Sequence, residues 1–298
     1  MSNIEDLIKK RNLNEIKRRL ESDNTINTFD MRGCTLLHKS AQAGWLKLLS
    51  YLLSIEMDIN TTDNEGWTPL HYAVYMCGVN TSKNSCEYQD CVDCLLKRKT
   101  DLNTQNKDGQ SPLHLAVLVG HEQLVKKLID VGADMDVVDN HGDNLLSIAA
   151  LNGDWTVFRY LIAIGVSIDV INNNGHGLFA LAVSGGSLQI VKKLMDLGLD
   201  VYCVDPKGMN ALHFAVLEGD HDMVSYLLTI GLNPNHQNKD GETPLHLAGA
   251  CGLIDIISLL INKGADVNVR DKNNDTVIGV AKKEGHRDVL ALLNDFID

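Results

Sequence analysis

The sequence predicts an all-α solenoid, in which short pairs of helices stack on one another along the chain. Turn residues recur at steps of about 33 residues, with one longer step, and a similar sequence motif of helix-forming residues follows each of them. The recurring turn residues are Gly33, Gly66, Gly109, Gly142, Gly175, Gly208, Gly241 and Asn274. Each copy has room for two helices that are too short to be stable alone in water, so their apolar faces need a neighbouring copy.

The best-preserved copy, residues 238–260, explains why each unit folds as a turn followed by two helices. Gly241 supplies the positive φ that a tight turn needs. Thr243 is a helix N-cap, and Pro244 follows at the first helical position, where a missing N–H does no harm. Gly252 ends the first helix, and an apolar stripe at helical spacing over 253–260 predicts the second.

The shared text of the copies reads DxxGxTPLHxA, then a glycine between the helices, a VxxLL-like second helix and an ending such as GADVN at 264–268. In these residues the unit closely resembles the ankyrin repeat. The resemblance implies a short β-hairpin finger in each repeat. We predict a single domain over 1–298, with degenerate capping helices in 1–28, eight repeats, and a C-terminal cap repeat in 271–298. The basic residues of the first segment suit the solvated outer face of a cap, although a patch that binds an acidic surface is the alternative.

The composition is that of a globular protein of 298 residues, with 44% hydrophobic and 22% charged residues. No apolar run approaches the length needed to span a bilayer, and the first residues lack the apolar block of a signal peptide. Seven cysteines without small-domain disulfide spacing favour a reducing compartment, so we expect an intracellular protein, cytoplasmic or nuclear. The net charge of −12 argues against nucleic-acid binding and favours a protein partner with basic character.

Two repeats depart from the pattern. About ten extra residues within 77–91, rich in Asn, Ser and Thr, predict a loop insertion between the helices of the second full repeat. The insertion is either functional or tolerated drift, since lengthening a surface loop costs little. In the fifth full repeat Gly177 and Ala180 replace the motif Thr and His, and Gly185-Gly186 follow. We expect this repeat to be the softest internal part, with faster amide exchange over 172–190 than over 238–256.

We do not expect the recurring histidines of the motif to form a metal site or a catalytic group. They lie one repeat apart, about 10 Å in a stack of helices, which is too far for shared ligation. The motif histidines are His38, His71, His114, His213 and His246. The resemblance implies that their rings hydrogen-bond the motif Thr and the backbone of the neighbouring finger. The sequence has no GxSxG, P-loop or HExxH motif, so we expect a non-enzymatic protein without a cofactor.

Four cysteines in and beside the insertion, Cys77, Cys86, Cys91 and Cys94, are the one group that suggests metal or redox chemistry. A CxxC with two further thiols is able to hold Zn²⁺ tetrahedrally. Structural zinc sites, however, usually pair two short-spaced couples, and this spacing does not. Packing is the favoured reading, because Val92 and Leu95 place the CxxC on a helix that supplies core positions.

The remaining candidate for function is the variable surface of the repeats. In ankyrin-like arrays, finger tips and first helices line a concave groove that holds protein partners. Large apolar and aromatic residues at such slots are typical of interface hot spots. The predicted partner-binding residues are Trp67, Tyr75, Met76, Gln110, Leu118, Val119, Asp143, Leu151, Asn152 and His176. Leu217 occupies the same kind of slot in a later repeat, and the alternative for Leu118, Leu151 and Leu217 is that they thicken the packing between repeats.

The resemblance also suggests a modification. Asn60, Asn103 and Asn268 lie in a Leu-x5-Asp-x-Asn context that is similar to the pattern accepted by asparaginyl hydroxylases acting on ankyrin repeats. The structural alternative is that each Asn bridges the turn of its repeat.

We therefore expect a monomeric, non-enzymatic scaffold or adaptor that grips a protein partner through the groove centred on repeats two to four. The competing expectation is a stand-alone inhibitor or effector that masks a functional surface of its partner. A metal-sensing or redox-sensing protein, resting on the cysteine group alone, is the third reading.

Overall fold

The computed structural model describes residues 4–22, 30–80 and 85–294. Within these ranges the chain forms eighteen α-helices that follow one another as nine pairs. In chain order they are α1 Ile4–Lys9, α2 Leu13–Ser22, α3 Leu36–Gln42, α4 Leu46–Ser54, α5 Pro69–Val79, α6 Ser85–Leu96, α7 Pro112–Leu118, α8 Glu122–Asp130, α9 Leu145–Leu151, α10 Trp155–Ala163, α11 Leu178–Ser184, α12 Leu188–Asp196, α13 Ala211–Leu217, α14 His221–Thr229, α15 Pro244–Cys251, α16 Ile254–Asn262, α17 Val277–Glu284 and α18 Arg287–Asn294. The predicted all-α repeat architecture is confirmed.

The chain divides into two compact units. The first unit holds Met1–Asn140 and Arg159–Val166, and the second holds His141–Phe158 and Ser167–Asp298. In the first unit α3 packs on α5 and α5 on α7, while in the second α9, α11, α13, α15 and α17 pack in that order. The prediction of one domain over 1–298 stays a prediction.

A hydrogen-bonded turn precedes the first helix of each full repeat, and the second repeat shows its construction. Gly66 has a φ of +79°, which lets its N–H reach the carbonyl of Asp63 at 3.0 Å. The Asp63 N–H in turn donates to the Trp67 carbonyl at 2.9 Å. Successive fingers are tied together, because the Asn64 N–H donates to the carbonyl of Arg32 at 2.8 Å. The predicted fingers therefore take the form of turns, and a bridge between 171 and 177 adds a β-type pairing in the fifth repeat.

The first helices begin as the motif predicts. Thr68 stands at the N-cap of α5, its hydroxyl accepting from the His71 N–H at 3.3 Å, and Pro69 occupies the first turn. Leu70 and Ala73 then lie fully buried on the inner face of the helix. The same cap recurs at α15 with Thr243, so local sequence alone sets where these helices start.

The loop predicted for residues 77–91 is wrong where the structure describes it. Residues 77–79 extend α5 to eleven residues, and residues 85–91 belong to the twelve-residue α6, while 81–84 lie outside the described residues. Residues 85–91 are helical and not a loop because Cys91, Val92 and Leu95 form a fully buried stripe on one side of α6. This side packs against α4 and α5. The Asn and Ser content that suggested a loop lies mainly in 80–85.

The fifth repeat departs from the others as its sequence suggests. Gly177 is the N-cap of α11 and has no side chain to accept a hydrogen bond from the first turn. At the other end Gly185 has a packing role that the sequence did not reveal. A Cβ at Gly185 would lie 2.1 Å from the carbonyl oxygen of Ala150, so glycine is what lets α11 approach α9 this closely.

Candidate functional site

An aromatic cluster of Trp67, Tyr72 and Tyr75 stands at the second finger and the adjoining face of α5. The ring centroid of Trp67 lies 5.1 Å from that of Tyr72 and 5.6 Å from that of Tyr75, and the second pair meets edge to face. All three side chains are half-buried, as is the neighbouring Met76. The structure thus brings together Trp67 and Tyr75, which the sequence predicted, and adds Tyr72 to them.

The cluster forms one wall of an open groove of about 570 Å³ within the first unit. The other walls come from the first and second fingers and from the end of α3. The lining residues are Met31, Arg32, Gln42, Asp63, Asn64, Glu65, Trp67, Tyr72 and Tyr75. Met31 is 99% exposed at the tip of the first finger, so the groove has an apolar rim as well as an aromatic wall.

A second groove, of about 490 Å³, continues from the first toward α1. The two share Met31, Arg32, Gln42 and Tyr72, and the second adds Glu5 and other residues of the first helix pair. Its floor carries a charge cluster in which the ammonium of Lys39 lies 3.0 Å from Asp30 and 3.1 Å from Glu5. These hydrogen bonds hold the pKa of Lys39 above its usual value despite partial burial, so the amine stays charged.

Asp63 holds the aromatic cluster in place. One carboxylate oxygen accepts from the N–H of Glu65 at 2.9 Å and from that of Trp67 at 2.8 Å. The other accepts from the Tyr72 hydroxyl at 2.7 Å. Burial, reinforced by this hydrogen bond, raises the pKa of Tyr72 well above its ordinary value, so the phenol remains a neutral donor.

Sequence reasoning missed both Asp63 and Tyr72. The available signals were that Asp63 is the first residue of the DxxG turn and that Tyr72 directly follows the motif His. An aromatic residue at that slot, directly before the apolar pair Ala73 and Val74, is easily interpreted as a core residue.

The other predicted contact residues of the first unit, Gln110, Leu118 and Val119, are not among the residues that line the groove. Gln110 is half-buried in the third finger, where its carbonyl meets the imidazole of His71 at 3.0 Å. Leu118 is 40% exposed at the end of α7. Val119 fills the space beside Gly78, where a Cβ would come within 2.1 Å of it, so its role is packing between α5 and the end of α7.

In the second unit the exposed position predicted for Asp143 is wrong. Its side chain is only 8% exposed, and its carboxylate accepts from the Asn172 amide at 3.1 Å. The hydrogen bond to Asn172 draws the carboxylate of Asp143 inward, where it bridges two fingers and does not face a binding protein. Leu151 and Asn152 are exposed at the end of α9, as predicted from their slots.

His176, the last of the predicted contact residues, is engaged within its own unit. Its ring meets that of Phe214 edge to face at a centroid distance of 5.1 Å. Its Nε2 also lies 3.6 Å from the carboxylate of Asp205, which is buried. The side chain of His176 is therefore half-buried and held in place. Although His176 lies at a finger tip, its ring is occupied by contacts within its own unit.

Comparison with known proteins identifies the family to which this repeat architecture belongs. The family model described as ankyrin repeats in three copies matches residues 6–88, 80–174, 146–233, 178–271 and 228–298. These overlapping matches extend over nearly the whole chain. The chain belongs to the ankyrin-repeat family. Ankyrin repeats are in general modules for protein–protein interaction.

Several known proteins match short parts of the chain. The human Notch-regulated ankyrin repeat-containing protein is 33% identical over 75 residues, which are 24% of this chain and 66% of that protein. The zebrafish Notch-regulated ankyrin repeat-containing protein A is 32% identical over 75 residues, covering 24% of this chain and 67% of that protein. The Arabidopsis thaliana ADP-ribosylation factor GTPase-activating protein AGD2 is 38% identical over 69 residues, 23% of this chain and 9% of that protein. The chain thus spans about two thirds or less of the length of these relatives.

The ankyrin histidines have the structural role that the motif implies. In the second repeat the Thr68 N–H donates to Nδ1 of His71 at 3.0 Å, so Nδ1 must be unprotonated and Nε2 carries the proton to the Gln110 carbonyl. The first, sixth and seventh repeats show both bonds with His38, His213 and His246. Burial lowers the pKa of His71 to about 4, which keeps the ring neutral. His114 makes the first bond, but its Nε2 meets no acceptor in the described part of the chain.

The four cysteines of the ankyrin insertion are not brought together as a tetrahedral set. Cys77 and Cys91 are buried and Cys86 is exposed, while Cys94 lies 3.6 Å from the hydroxyl of Ser50. Burial raises the pKa of Cys91 to about 12, so this thiol stays protonated. Residues 4–22, 30–80 and 85–294 contain no group of three or more His, Cys, Asp or Glu side chains arranged to hold a metal ion.

Two of the three asparagines with the hydroxylation pattern bridge successive ankyrin repeats. Asn60 accepts from the Asp101 N–H at 2.8 Å, and Asn103 accepts from the Asp134 N–H at 2.9 Å. Asn235, outside the predicted set, makes the equivalent bond to the Asp266 N–H at 2.8 Å. All three predicted asparagines, Asn268 included, are exposed residues.

The described helices include none that is long and apolar enough to cross a lipid bilayer.

Proposed function

We propose that this ankyrin-repeat chain is a non-enzymatic scaffold or adaptor that grips a partner protein in the groove beside Trp67, Tyr72 and Tyr75. The proposal rests mainly on the aromatic cluster, which is half-exposed along an open groove of about 570 Å³. Tyr and Trp are enriched among residues that dominate binding energy, because they offer large contact areas with few rotatable bonds.

Asp63 supports the proposal by fixing the cluster before any partner arrives. Two backbone N–H groups and the Tyr72 hydroxyl converge on this one carboxylate, so the finger backbone at Trp67 and the ring of Tyr72 are held before binding. A preorganised surface loses less conformational entropy in the complex, which favours affinity. We therefore place the centre of the interface at the second finger, within the range of repeats two to four that the sequence favoured.

The chemistry proposed for the partner is a segment with basic character. The net charge of −12 favours such a partner over an acidic one. The carboxylate of Glu65 lies on the groove and is exposed. We further propose that the protein works as a monomer in the cytoplasm or nucleus.

Affinity purification of wild-type protein and two variants, read out by mass spectrometry, tests the proposal. Trp67→Ala and Tyr75→Ala should each reduce recovery of the specific partners about tenfold or more, as expected for hot-spot residues. Leu217→Ala is the control, since it shortens an exposed apolar side chain at the end of a first helix that does not line the groove. Circular dichroism of each variant checks the fold. A partner set that survives both substitutions would show that the groove is not the binding site.

An inhibitor or effector that masks its partner is the alternative form of the same interaction. The two differ in outcome, because an inhibitor abolishes the activity of the captured partner in a purified mixture, whereas a scaffold leaves it active. The same Trp67→Ala variant should then restore the activity that an inhibitor suppresses.

A further inference from the structure

Three tyrosines outside the aromatic cluster have a lysine over the ring. Lys17 lies over the ring of Tyr51 at 4.4 Å, Lys126 over Tyr160 at 5.1 Å and Lys192 over Tyr226 at 5.2 Å. In each pair a lysine of one repeat covers a tyrosine ring of the next. Among the residues that the structure describes, no cation of this chain lies over Trp67, Tyr72 or Tyr75.

The electronic character of the cluster favours a positive charge. Trp67 offers the ring type that attracts cations most strongly. The Tyr72 hydroxyl donates to the buried carboxylate of Asp63 at 2.7 Å, which pushes electron density into the phenol ring. Two carboxylates, Asp63 and Glu65, also line the same groove.

The lining of the groove holds two carboxylates and one basic side chain. Arg32 is the one basic side chain among the groove-lining residues, which all belong to the described ranges. Lys107 lies 3.4 Å from Glu65, but both side chains are about two-thirds exposed, at 64% and 68%. Such a pair is weak and exchanges readily with a competing cation.

We propose that the groove beside Trp67, Tyr72 and Tyr75 receives a lysine or arginine side chain of the partner segment, held over the rings and paired with Glu65. The inference rests on the proposed function and names the chemistry of the residue that enters the groove. The charge complementarity between the carboxylates of the groove and a basic side chain selects this occupant over an aliphatic or acidic one.

Small probes isolate the charge from the rest of the partner. We would titrate the protein with Nα-acetyl-lysine amide, Nα-acetyl-arginine amide and the neutral, nearly isosteric Nα-acetyl-norleucine amide. The readout is the indole N–H resonance of Trp67, which is assigned by its loss in Trp67→Phe because the chain has three tryptophans. Trp155 serves as the internal control in every spectrum.

We expect both cationic probes to shift the Trp67 resonance saturably and to bind about two- to fivefold more tightly than the norleucine probe. Glu65→Gln should reduce that preference, and Arg32→Gln should increase it, while neither changes the affinity for norleucine amide. Equal affinity for lysine and norleucine probes, no saturable shift, or equal shifts at Trp155 and Trp67 would overturn the inference.

The two proposals fail in different ways. If the probes show no charge preference but Trp67→Ala still loses the protein partners, the groove binds a partner through other chemistry. If the lysine probe binds at Trp67 but partner recovery is unaffected by Trp67→Ala, the cation site is real and the proposed function is wrong.

Discussion

The guanidinium of Arg11 lies against the carboxylate of Glu87, with Nη1 2.8 Å from one oxygen and Nη2 2.5 Å from the other. Arg11 stands in the turn between α1 and α2 with a φ of +50°, and Glu87 lies in the first turn of α6. The helical insertion therefore reaches past the first full repeat to the capping pair. Tyr88 also packs beside Gly44, at a position where a Cβ would lie 2.9 Å from its ring. These contacts favour a packing role for the helical part of the insertion.

The pair should show a measurable coupling. In a double-mutant cycle with Arg11→Met and Glu87→Gln, we expect about 0.5–1 kcal/mol, because both side chains are partly exposed and only the bidentate geometry raises the pair above an ordinary surface ion pair. The measurement is urea unfolding followed by circular dichroism. The control cycle is Lys107 with Glu65, 3.4 Å apart and more exposed, where we expect almost no coupling.

The coupling should also depend on pH in a defined direction. The hydrogen bond from Arg11 holds the pKa of Glu87 below its usual value in the folded state. A group whose folded pKa is depressed contributes stability above its unfolded pKa and loses it as the pH falls through the folded pKa. The coupling should therefore be present at neutral pH and vanish under strongly acidic conditions. A coupling no larger than that of the control pair would contradict the assignment.

The buried motif histidines predict a loss of stability at mildly acidic pH. Burial lowers the pKa of His71 from 6.5 to about 4, and that of His213 likewise to about 4. As the pH falls, the unfolded chain takes up protons first, so folding weakens from about pH 6.5 down to about pH 4. Each such histidine should contribute a loss of about 2 kcal/mol between pH 7 and pH 5.

A variant that cannot titrate separates this effect from general acid denaturation. His71→Gln should be less stable than wild type at pH 7, because the hydrogen bonds to Thr68 and Gln110 are disturbed. Its further loss between pH 7 and pH 5, measured by urea unfolding, should be smaller by about one histidine's contribution. An identical pH slope in variant and wild type would show that His71 does not carry the predicted shift.

The features predicted correctly from the sequence are those that are determined by residues close together within one repeat. The turn glycines have positive φ as expected, Gly66 at +79° and Gly241 at +78°, and Asn274 takes the same conformation at +65°. The cap of Thr68 and the hydrogen bonds of His71 follow from residues three positions apart. The turn recurs in every full repeat and the side-chain cap in most of them, which is why one well-preserved copy is enough to interpret the others.

The features that were missed depend on tertiary neighbours. Residues 85–91 look like a loop by composition, yet burial of Cys91 and Leu95 against other helices makes them helical. Asp143 occupies a tip slot, but the amide of Asn172 draws it inward. In the candidate site Trp67 and Tyr75 were found as large residues at variable slots. Tyr72 was not, because its half-exposed position depends on Asp63, nine residues earlier.

Gly185 and Gly177 offer a matched test of close packing, since both have ordinary negative φ values, −74° and −81°. A Cβ at Gly185 would lie 2.1 Å from the Ala150 carbonyl and 2.7 Å from that of Leu151, whereas one at Gly177 meets its nearest atom at 4.0 Å. Gly185→Ala should therefore destabilise the protein by about 2–3 kcal/mol or more, since backbone must move. Gly177→Ala should cost no more than about 1 kcal/mol, because it meets no clash and loses only the preference of a helix N-cap for glycine over alanine. Thermal unfolding of the two variants decides it, and equal effects would mean that the α9–α11 approach is looser than described.

The fifth repeat contains a cavity of about 100 Å³ where other repeats hold their Thr and His side chains. Gly177 and Ala180 line one side, and Met209, Ala211 and Phe214 line the other. In the sixth repeat the equivalent space is filled by His213, whose ring is bonded to Asn210 and to the carbonyl of the next finger. An empty space of this kind removes packing contacts and a helix cap together, which is the physical reason for expecting a soft repeat.

Restoring the motif should therefore stabilise the repeat. The double substitution Gly177→Thr and Ala180→His should add about 1–2 kcal/mol, because it supplies the cap and fills the cavity without a steric clash at Gly177. Amide exchange over 172–190, expected to be faster than over 238–256 in the wild type, should slow toward the rate of the latter segment. Gly177→Thr alone is the control and should give only the part due to the cap. If exchange over 172–190 is already as slow as over 238–256 in the wild type, or if the double variant is less stable, the space is better filled than its geometry indicates.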